Sequence, residues 1–164
     1  MRKYLRKLET ELYAFAIQSN AIVSPLTLNI SSDGVGEVYL PSRSTFEKIN
    51  PQSQPAGLVF VDGSFLVFQE IVHFGYQDEF ATEPIIYRLK YSYHYQRSTD
   101  YFFFRYDYHP GVGHPDTHPP YHLHCAGWLP GSEQFQTVPR FEVNETTLAK
   151  VLRLVLISFP NIIS

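Results

Sequence analysis

The chain lacks the features that define several common classes of protein. It has one cysteine, Cys125, in 164 residues, so no internal disulfide can form and a reducing, cytoplasmic location is expected. No apolar run reaches the length that spans a membrane, and the N-terminus lacks the successive basic, apolar and small-residue regions of a signal peptide. We therefore expect no membrane partner.

The chain also lacks an excess of positive charge. Thirteen Lys and Arg stand against sixteen Asp and Glu, so the net charge is −3 and no global basic field attracts nucleic acid. A local basic cluster near the N-terminus is explained most simply as the solvated face of a helix. Its members are Arg2, Lys3, Arg6 and Lys7. No phosphate-binding glycine loop or dinucleotide fingerprint is present.

Aromatic residues are abundant and favour a sheet-rich core. The chain has 12 Tyr and 13 Phe, residue types that pack well on strands. Its length and its 44% hydrophobic content fit a single domain over residues 1–164. Apolar residues at helical spacing predict an N-terminal helix over roughly residues 2–18. A second apolar stripe, from Leu148 to Leu156, predicts a C-terminal helix that Asn144 caps.

Between the two helices the pattern changes to strands and turns. Asp33-Gly34 and Asp62-Gly63 separate alternating apolar segments, which predicts two β-hairpins. Residues 41–55 are polar and are predicted to be a linker or a long loop, and residues 78–84 to be a turn. The pattern predicts an α+β fold, with a mainly antiparallel sheet of hairpin-connected strands and helices on one face.

One long strand, residues 85–96, divides its side chains between two faces. Alternation puts one set of side chains on one face, Tyr87, Leu89, Tyr91, Tyr93 and Tyr95, and a second set on the other, Arg88, Lys90, Ser92 and His94. The tyrosines resemble a platform for stacking RNA bases, but packing beneath a helix is the commoner use of such a stripe and is preferred.

Five of the seven histidines lie between Arg105 and Gly127. His122 and His124 are two apart on a predicted strand, so both face the same side and could bind one divalent metal ion. His109 is a third candidate ligand. Other side chains of the preceding segment that could complete the set are Asp107, His114, Asp116 and His118. A simpler explanation is a polar strand end held by hydrogen bonds.

The same residues also support a reading without metal. Paired histidines can act as general base and general acid. Arg105 could hold a phosphate in its planar guanidinium fork, and Asp107, two residues further on, shares its face. The alternative is an Arg105–Asp107 ion pair that only stabilises the strand end. Glu70 lies at the end of an apolar strand and could be a metal ligand or a general base. The simpler explanation is a solvent-facing residue at the edge of the sheet.

Four segments occur in an order that resembles a known family. They are "GLVFVDGSFLVFQE" (Gly57–Glu70), "KYSYHYQ" (Lys90–Gln96), "FRYD" (Phe104–Asp107) and "PPYHLH" (Pro119–His124). Together they resemble the TumE-like family, small bacterial and archaeal toxins of toxin–antitoxin pairs. Family members typically continue R-Y-D with Asn-Ala-Pro-His-His and have P-H-H-x-H, whereas here Tyr108-His109-Pro110 follows and Tyr121 replaces the first histidine.

The resemblance implies a role and a division of the chain. Residues 57–164 correspond to the TumE-like core, and residues 1–56 are an extension that contains a helix, a hairpin and a linker. We expect a cytoplasmic toxin with an antitoxin partner, acting on RNA or another phosphorylated substrate as a ribonuclease or other phosphodiester-cleaving hydrolase. The predicted catalytic residues are Arg105, Asp107, His122 and His124. The alternative is a binding or regulatory module without catalysis, with a divalent metal ion held by His122, His124 and His109.

Overall fold

The fold is described from a computed structural model, which covers residues 2–50, 53–76, 85–112, 116–127 and 140–159. Three helices and nine strands lie within these ranges. The helices are α1 (Arg2–Ser19), α2 (Arg43–Phe46) and α3 (Leu148–Ser158). The strands are β1 (Ile22–Val23), β2 (Thr27–Ile30), β3 (Val35–Leu40), β4 (Leu58–Val59), β5 (Phe65–Gly75), β6 (Ile85–Gln96), β7 (Phe103–Tyr108), β8 (Tyr121–Ala126) and β9 (Arg140–Glu142).

All nine strands belong to one antiparallel sheet. Its main order is β1-β4-β5-β6-β7-β8-β9, and the β2–β3 hairpin joins through pairing of β3 with β5. The prediction of an α+β fold with an antiparallel sheet is confirmed. Both Asp-Gly hairpins also form, with Gly34 at φ +81° and Gly63 at φ +78°. Positive φ favours glycine at these turns because it has no Cβ to clash.

The two long helices pack on one face of the sheet, as predicted. Leu8, Leu12 and Phe15 of α1 join Val151 and Val155 of α3 in the buried core beneath them. The predicted cap of α3 is wrong by three residues: Thr147, not Asn144, is the N-cap, and its hydroxyl accepts from the Lys150 amide at 3.3 Å. The chain is still extended at Thr147, so the helix begins after this residue and Asn144 lies outside it.

The three tyrosines of β6 pack in the core beneath the helices, which is the role that the sequence analysis preferred. Tyr91, Tyr93 and Tyr95 are at most 1% exposed. The prediction that Arg88 lies on the face opposite these tyrosines is wrong. A bulge in the pairing with β5 shifts the register between Ile71 and Val72, so Arg88 lies on the helix face and its guanidinium stacks 5.1 Å from the Tyr91 ring centroid. A bulge inserts one extra residue and reverses the alternation that the sequence suggests.

The predicted polar loop over residues 41–55 contains one short helix, α2. Ser42 caps it, and Phe46 packs against Tyr39 on the sheet face that α1 and α3 leave open. The Asn50 carbonyl accepts a hydrogen bond from the Gln96 amide at 3.4 Å. This segment therefore covers part of the second sheet face. The predicted turn over residues 78–84 lies outside the described residues. Among those described, no helix has the length and hydropathy to cross a membrane.

Candidate functional site

A group of polar side chains gathers on the second sheet face, where β6, β7 and β8 lie side by side. The register pairs Asp107 with Ser92 on β6 and with His122 on β8, and it pairs Arg105 with His124. Paired residues of neighbouring strands point to the same face. We call Arg105, Asp107, His122 and His124 the histidine–aspartate centre; the structure brings together all four predicted catalytic residues.

Asp107 is the hub of this centre. Its carboxylate is 3% exposed and accepts hydrogen bonds from Ser92 Oγ at 2.5 Å and Arg105 Nε at 2.8 Å. His124 Nε2 lies 3.2 Å from Oδ2, and His122 Nε2 lies 3.6 Å from the same oxygen. A buried carboxylate is stable only when such partners replace its lost hydration. Asp107 therefore orients side chains from three strands.

The partners of Asp107 hold its carboxyl in the ionised form. Burial alone raises the pKa of Asp107, but the hydrogen bond from His124, the charge of Arg105 and the hydrogen bond from Ser92 together outweigh it. The net effect is a pKa well below the ordinary value of 3.8. The centre consequently contains a fixed negative charge between two imidazoles.

Both histidines direct Nε2 toward the Asp107 carboxylate, but their neutral rings carry the proton on different nitrogens. His122 Nδ1 lies 2.7 Å from the Pro119 carbonyl, so this nitrogen carries the proton and Nε2 keeps a lone pair when the ring is neutral. His124 instead donates from Nε2 to Asp107, which leaves its lone pair on Nδ1. The two rings are edge to face, with centroids 4.8 Å apart. Burial lowers the pKa of His122 and favours its neutral form.

Arg105 connects the buried centre to solvent. Its side chain is 39% exposed, whereas that of Asp107 is 4% exposed. Among the residues that the structure describes, Asp107 is the acceptor recorded for its guanidinium, through Nε. Arg105 is therefore the member of the centre that an anion arriving from solvent can reach most easily. A guanidinium fork of this kind matches the oxygens of a phosphate.

Three residues of the centre are close enough to hold a metal ion. One potential ligand atom from each of Asp107, His122 and His124 lies within 4.8 Å of the others. The hydrogen bond from His122 Nδ1 to a carbonyl directs Nε2 toward this point, as outer partners of metal-bound histidines do. Two imidazoles and one carboxylate suit Zn²⁺ or another first-row divalent ion.

The other candidate ligands from the sequence do not join this group of three, among the residues that the structure describes. His109 is half-buried, its backbone amide donates to the Pro120 carbonyl at 2.9 Å, and its buried Nε2 has no hydrogen-bond partner among the described residues. Burial and the nearby Lys90 lower its pKa to about 4. His118 packs edge to face on His122, with ring centroids 4.5 Å apart. Asp116 is exposed. His114 lies outside the described residues.

Sequence reasoning missed two further members of this polar face. Ser92 donates to Asp107, and His94, directly opposite Arg105 in the register, is 5% exposed with its Nδ1 unpartnered. Burial lowers the pKa of His94 to about 4, which keeps its ring neutral. The sequence signal that could have found them is the alternation of β6, which places Ser92 on the face opposite the three tyrosines. Without the pairing of β6 and β7, nothing linked that face to Asp107.

Glu70 lies on the opposite sheet face and is not the solvent-facing residue that the sequence favoured. It is 1% exposed, and the hydroxyls of Tyr4 and Tyr93 both donate to its carboxylate. Burial raises its pKa above the ordinary value of 4.5, although both hydrogen bonds act in the other direction. The folded state therefore holds a proton on Glu70 at pH values where the unfolded chain has released it.

This raised pKa makes stability depend on pH in a defined direction. Above about pH 4.5 the unfolded state ionises first, so the wild-type free energy of unfolding falls as pH rises through the window that ends at the folded pKa. Glu70→Gln should lack this decline. Urea unfolding at a series of pH values from 4 upward, with exposed Glu47→Gln as the control, measures it. Parallel profiles for wild type and Glu70→Gln would contradict the assignment.

A family comparison matches most of the chain, including the histidine–aspartate centre. The family model described as Toxin TumE matches residues 32–158, which include all four residues of the histidine–aspartate centre. The chain belongs to this toxin family. Searches of curated proteins and of solved structures give no match. The matched range begins at residue 32 and includes β3, which pairs with β5 in the same sheet, whereas the predicted core begins at residue 57.

Proposed function

We propose that this chain is the toxin of a toxin–antitoxin pair and that it cleaves or transfers a phosphodiester, with RNA as the substrate class. Family membership supports the biological role. The observation that supports the chemistry is Arg105, whose half-exposed guanidinium is fixed through Nε beside two histidines. A phosphate bound by its terminal amino groups would lie next to both imidazoles.

In this proposal the histidines divide the proton transfers. His124, oriented by Asp107 through Nε2, is the general base, and its Nδ1 takes a proton from the attacking hydroxyl or water. His122 is the general acid: burial favours its neutral ring, but the charge of Asp107 acts in the other direction, and the fraction of the protein in which Nε2 is protonated donates to the leaving oxygen as the phosphorus–oxygen bond breaks. Asp107 orients His124 and stabilises its cationic form, as carboxylates beside catalytic histidines do.

Metal-assisted hydrolysis is the second candidate, and the approach of His122 Nε2 to Asp107 favours it. The lone pair of His122 Nε2 lies 3.6 Å from an Asp107 oxygen, and a cation bound by both atoms would stabilise this approach. Such an ion would be held by Asp107, His122 and His124, and it would supply an activated water. The charge of Arg105 on the same carboxylate opposes it, so we place this candidate second.

One preparation separates the two candidates. Full-length protein purified without a histidine tag should cleave single-stranded RNA at an unchanged rate in excess EDTA, and elemental analysis should find less than stoichiometric metal. Stoichiometric zinc with EDTA-sensitive cleavage would establish the metal route instead. If the protein leaves RNA intact both with and without added divalent ions, RNA is not its substrate.

A further inference from the structure

A cavity lies on the sheet face opposite the histidine–aspartate centre. It has a volume of about 830 Å³ and is enclosed by the first turns of α1, the start of α3 and the ends of β5 and β6 that lie farthest from Asp107. Its walls are mainly apolar: Leu8, Phe74, Ile86 and Leu148 line it. Small-molecule sites have volumes of roughly 300–1,000 Å³ and combine such walls with a few polar groups.

Three of the five charged side chains that line this cavity are basic. Lys3 and Lys7 line it from α1, and Arg88 lines it from β6. Lys7 faces Glu11 across 4.0 Å in an exposed pair that contributes little. Arg88 is fixed by the Thr146 carbonyl at 2.7 Å and also contacts Glu145. Neither α1 nor α3 has an acidic residue in its own first turn, so no side chain of that turn offsets the positive end of either helix.

Two acidic side chains also line the cavity: Glu11, which pairs with Lys7, and Glu70, which is 1% exposed. The hydroxyls of Tyr4 and Tyr93 both donate to the Glu70 carboxyl, and burial favours its protonated form. The balance of the lining is therefore positive at the mouth and apolar inside. A nucleic-acid backbone, which carries its charges in contact with water, would leave the apolar walls unused.

We propose that this cavity binds a small organic anion with an apolar body, of the chemical class of a medium-chain carboxylate. The charged group would lie between Lys3 and Lys7 at the mouth, and the chain would pack against Leu8, Phe74 and Leu148. Burial of the methylene groups supplies the affinity, and the lysines select the sign of the charge. This site is independent of the phosphodiester chemistry on the other face.

The test is calorimetric titration of the full chain with decanoate, decylammonium and 1-decanol below their aggregation concentrations. Decanoate should bind with one-to-one stoichiometry and more tightly than decylammonium. The double variant Lys3→Gln/Lys7→Gln should weaken decanoate binding about tenfold, which is the loss of two partly screened charge contacts. The matched control is Arg2→Gln/Arg6→Gln, which removes the same charge from the same helix outside the cavity lining. It should change the affinity less than threefold.

Three results would overturn the proposal. They are absence of saturable decanoate binding to the wild type, equal or tighter binding of decylammonium, and equal weakening by the two double variants. The last result would mean that the basic helix attracts anions without the cavity. Because all four substituted residues are exposed, the variants should fold like the wild type, and their thermal melting checks this.

Discussion

Asp107→Ala is expected to lower the free energy of unfolding by about 3–5 kcal/mol, the cost of breaking a buried ionic network by removing one partner. The substitution leaves Ser92 Oγ and the imidazole of His124 without their acceptor, and Arg105 loses the contact that fixes its Nε. Because three strands converge on this one carboxylate, its loss affects the pairing of β6 with β7 and of β7 with β8.

Urea unfolding of the wild type and of Asp107→Ala measures this loss, and Glu47→Ala is the control. Glu47 also pairs with an arginine, Arg43, but its side chain is 56% exposed, so its removal should cost less than about 1 kcal/mol. The pH dependence gives a second check. The folded pKa of Asp107 is depressed, so its stabilising effect is present above pH 3.8 and is lost as pH falls below it. A loss below about 1 kcal/mol at neutral pH would contradict the role of Asp107 as the hub.

His124→Gln is expected to reduce the rate of RNA cleavage by about 100- to 10,000-fold, the usual contribution of a general base. Glutamine keeps an amide that can donate toward Asp107, but it has no ring nitrogen that can take up a proton. The melting temperature should therefore fall much less than in Asp107→Ala. Rate and melting temperature measured on the same preparation separate a chemical role from a structural one.

His73→Gln is the matched control for this experiment. His73 lies on β5 near the far end of the sheet, paired with Val35 and Tyr87, and is not part of the histidine–aspartate centre. Its substitution should leave the cleavage rate within twofold of the wild type. If His124→Gln cleaves as fast as His73→Gln, His124 is not the base, and the metal candidate or a binding role takes precedence.

The sequence predicted much of the sheet because its signals there are local. Asp33-Gly34 and Asp62-Gly63 fix two turns within a few residues, and i, i+2 alternation places Arg105 beside Asp107 on one strand. The face of Arg88 could not be predicted, because the bulge that moves it depends on pairing with β5. The same limit hid the role of Ser92, which reaches Asp107 only through the register of two strands.

The cavity near Glu70 could not be predicted from the sequence either. It requires Tyr4 and Glu70, 66 residues apart, to meet beneath a helix, and no periodicity encodes that contact. The predicted solvent exposure of Glu70 followed from its charge. The structure instead buries it, because two tyrosine hydroxyls replace the water that its carboxyl loses.

The central claim is that this chain is toxic and that its toxicity comes from the histidine–aspartate centre. The most direct measurement is the count of viable bacteria after induced expression of the wild type and of Arg105→Gln, at matched soluble protein levels and without any antitoxin gene. Arg105 is suited to this comparison because it is partly exposed and its loss leaves the hydrogen bonds of Ser92 and His124 to Asp107 in place. We predict that the wild type lowers viability at least tenfold and that Arg105→Gln restores it. A harmless wild type, or an Arg105→Gln variant as toxic as the wild type, would contradict the account.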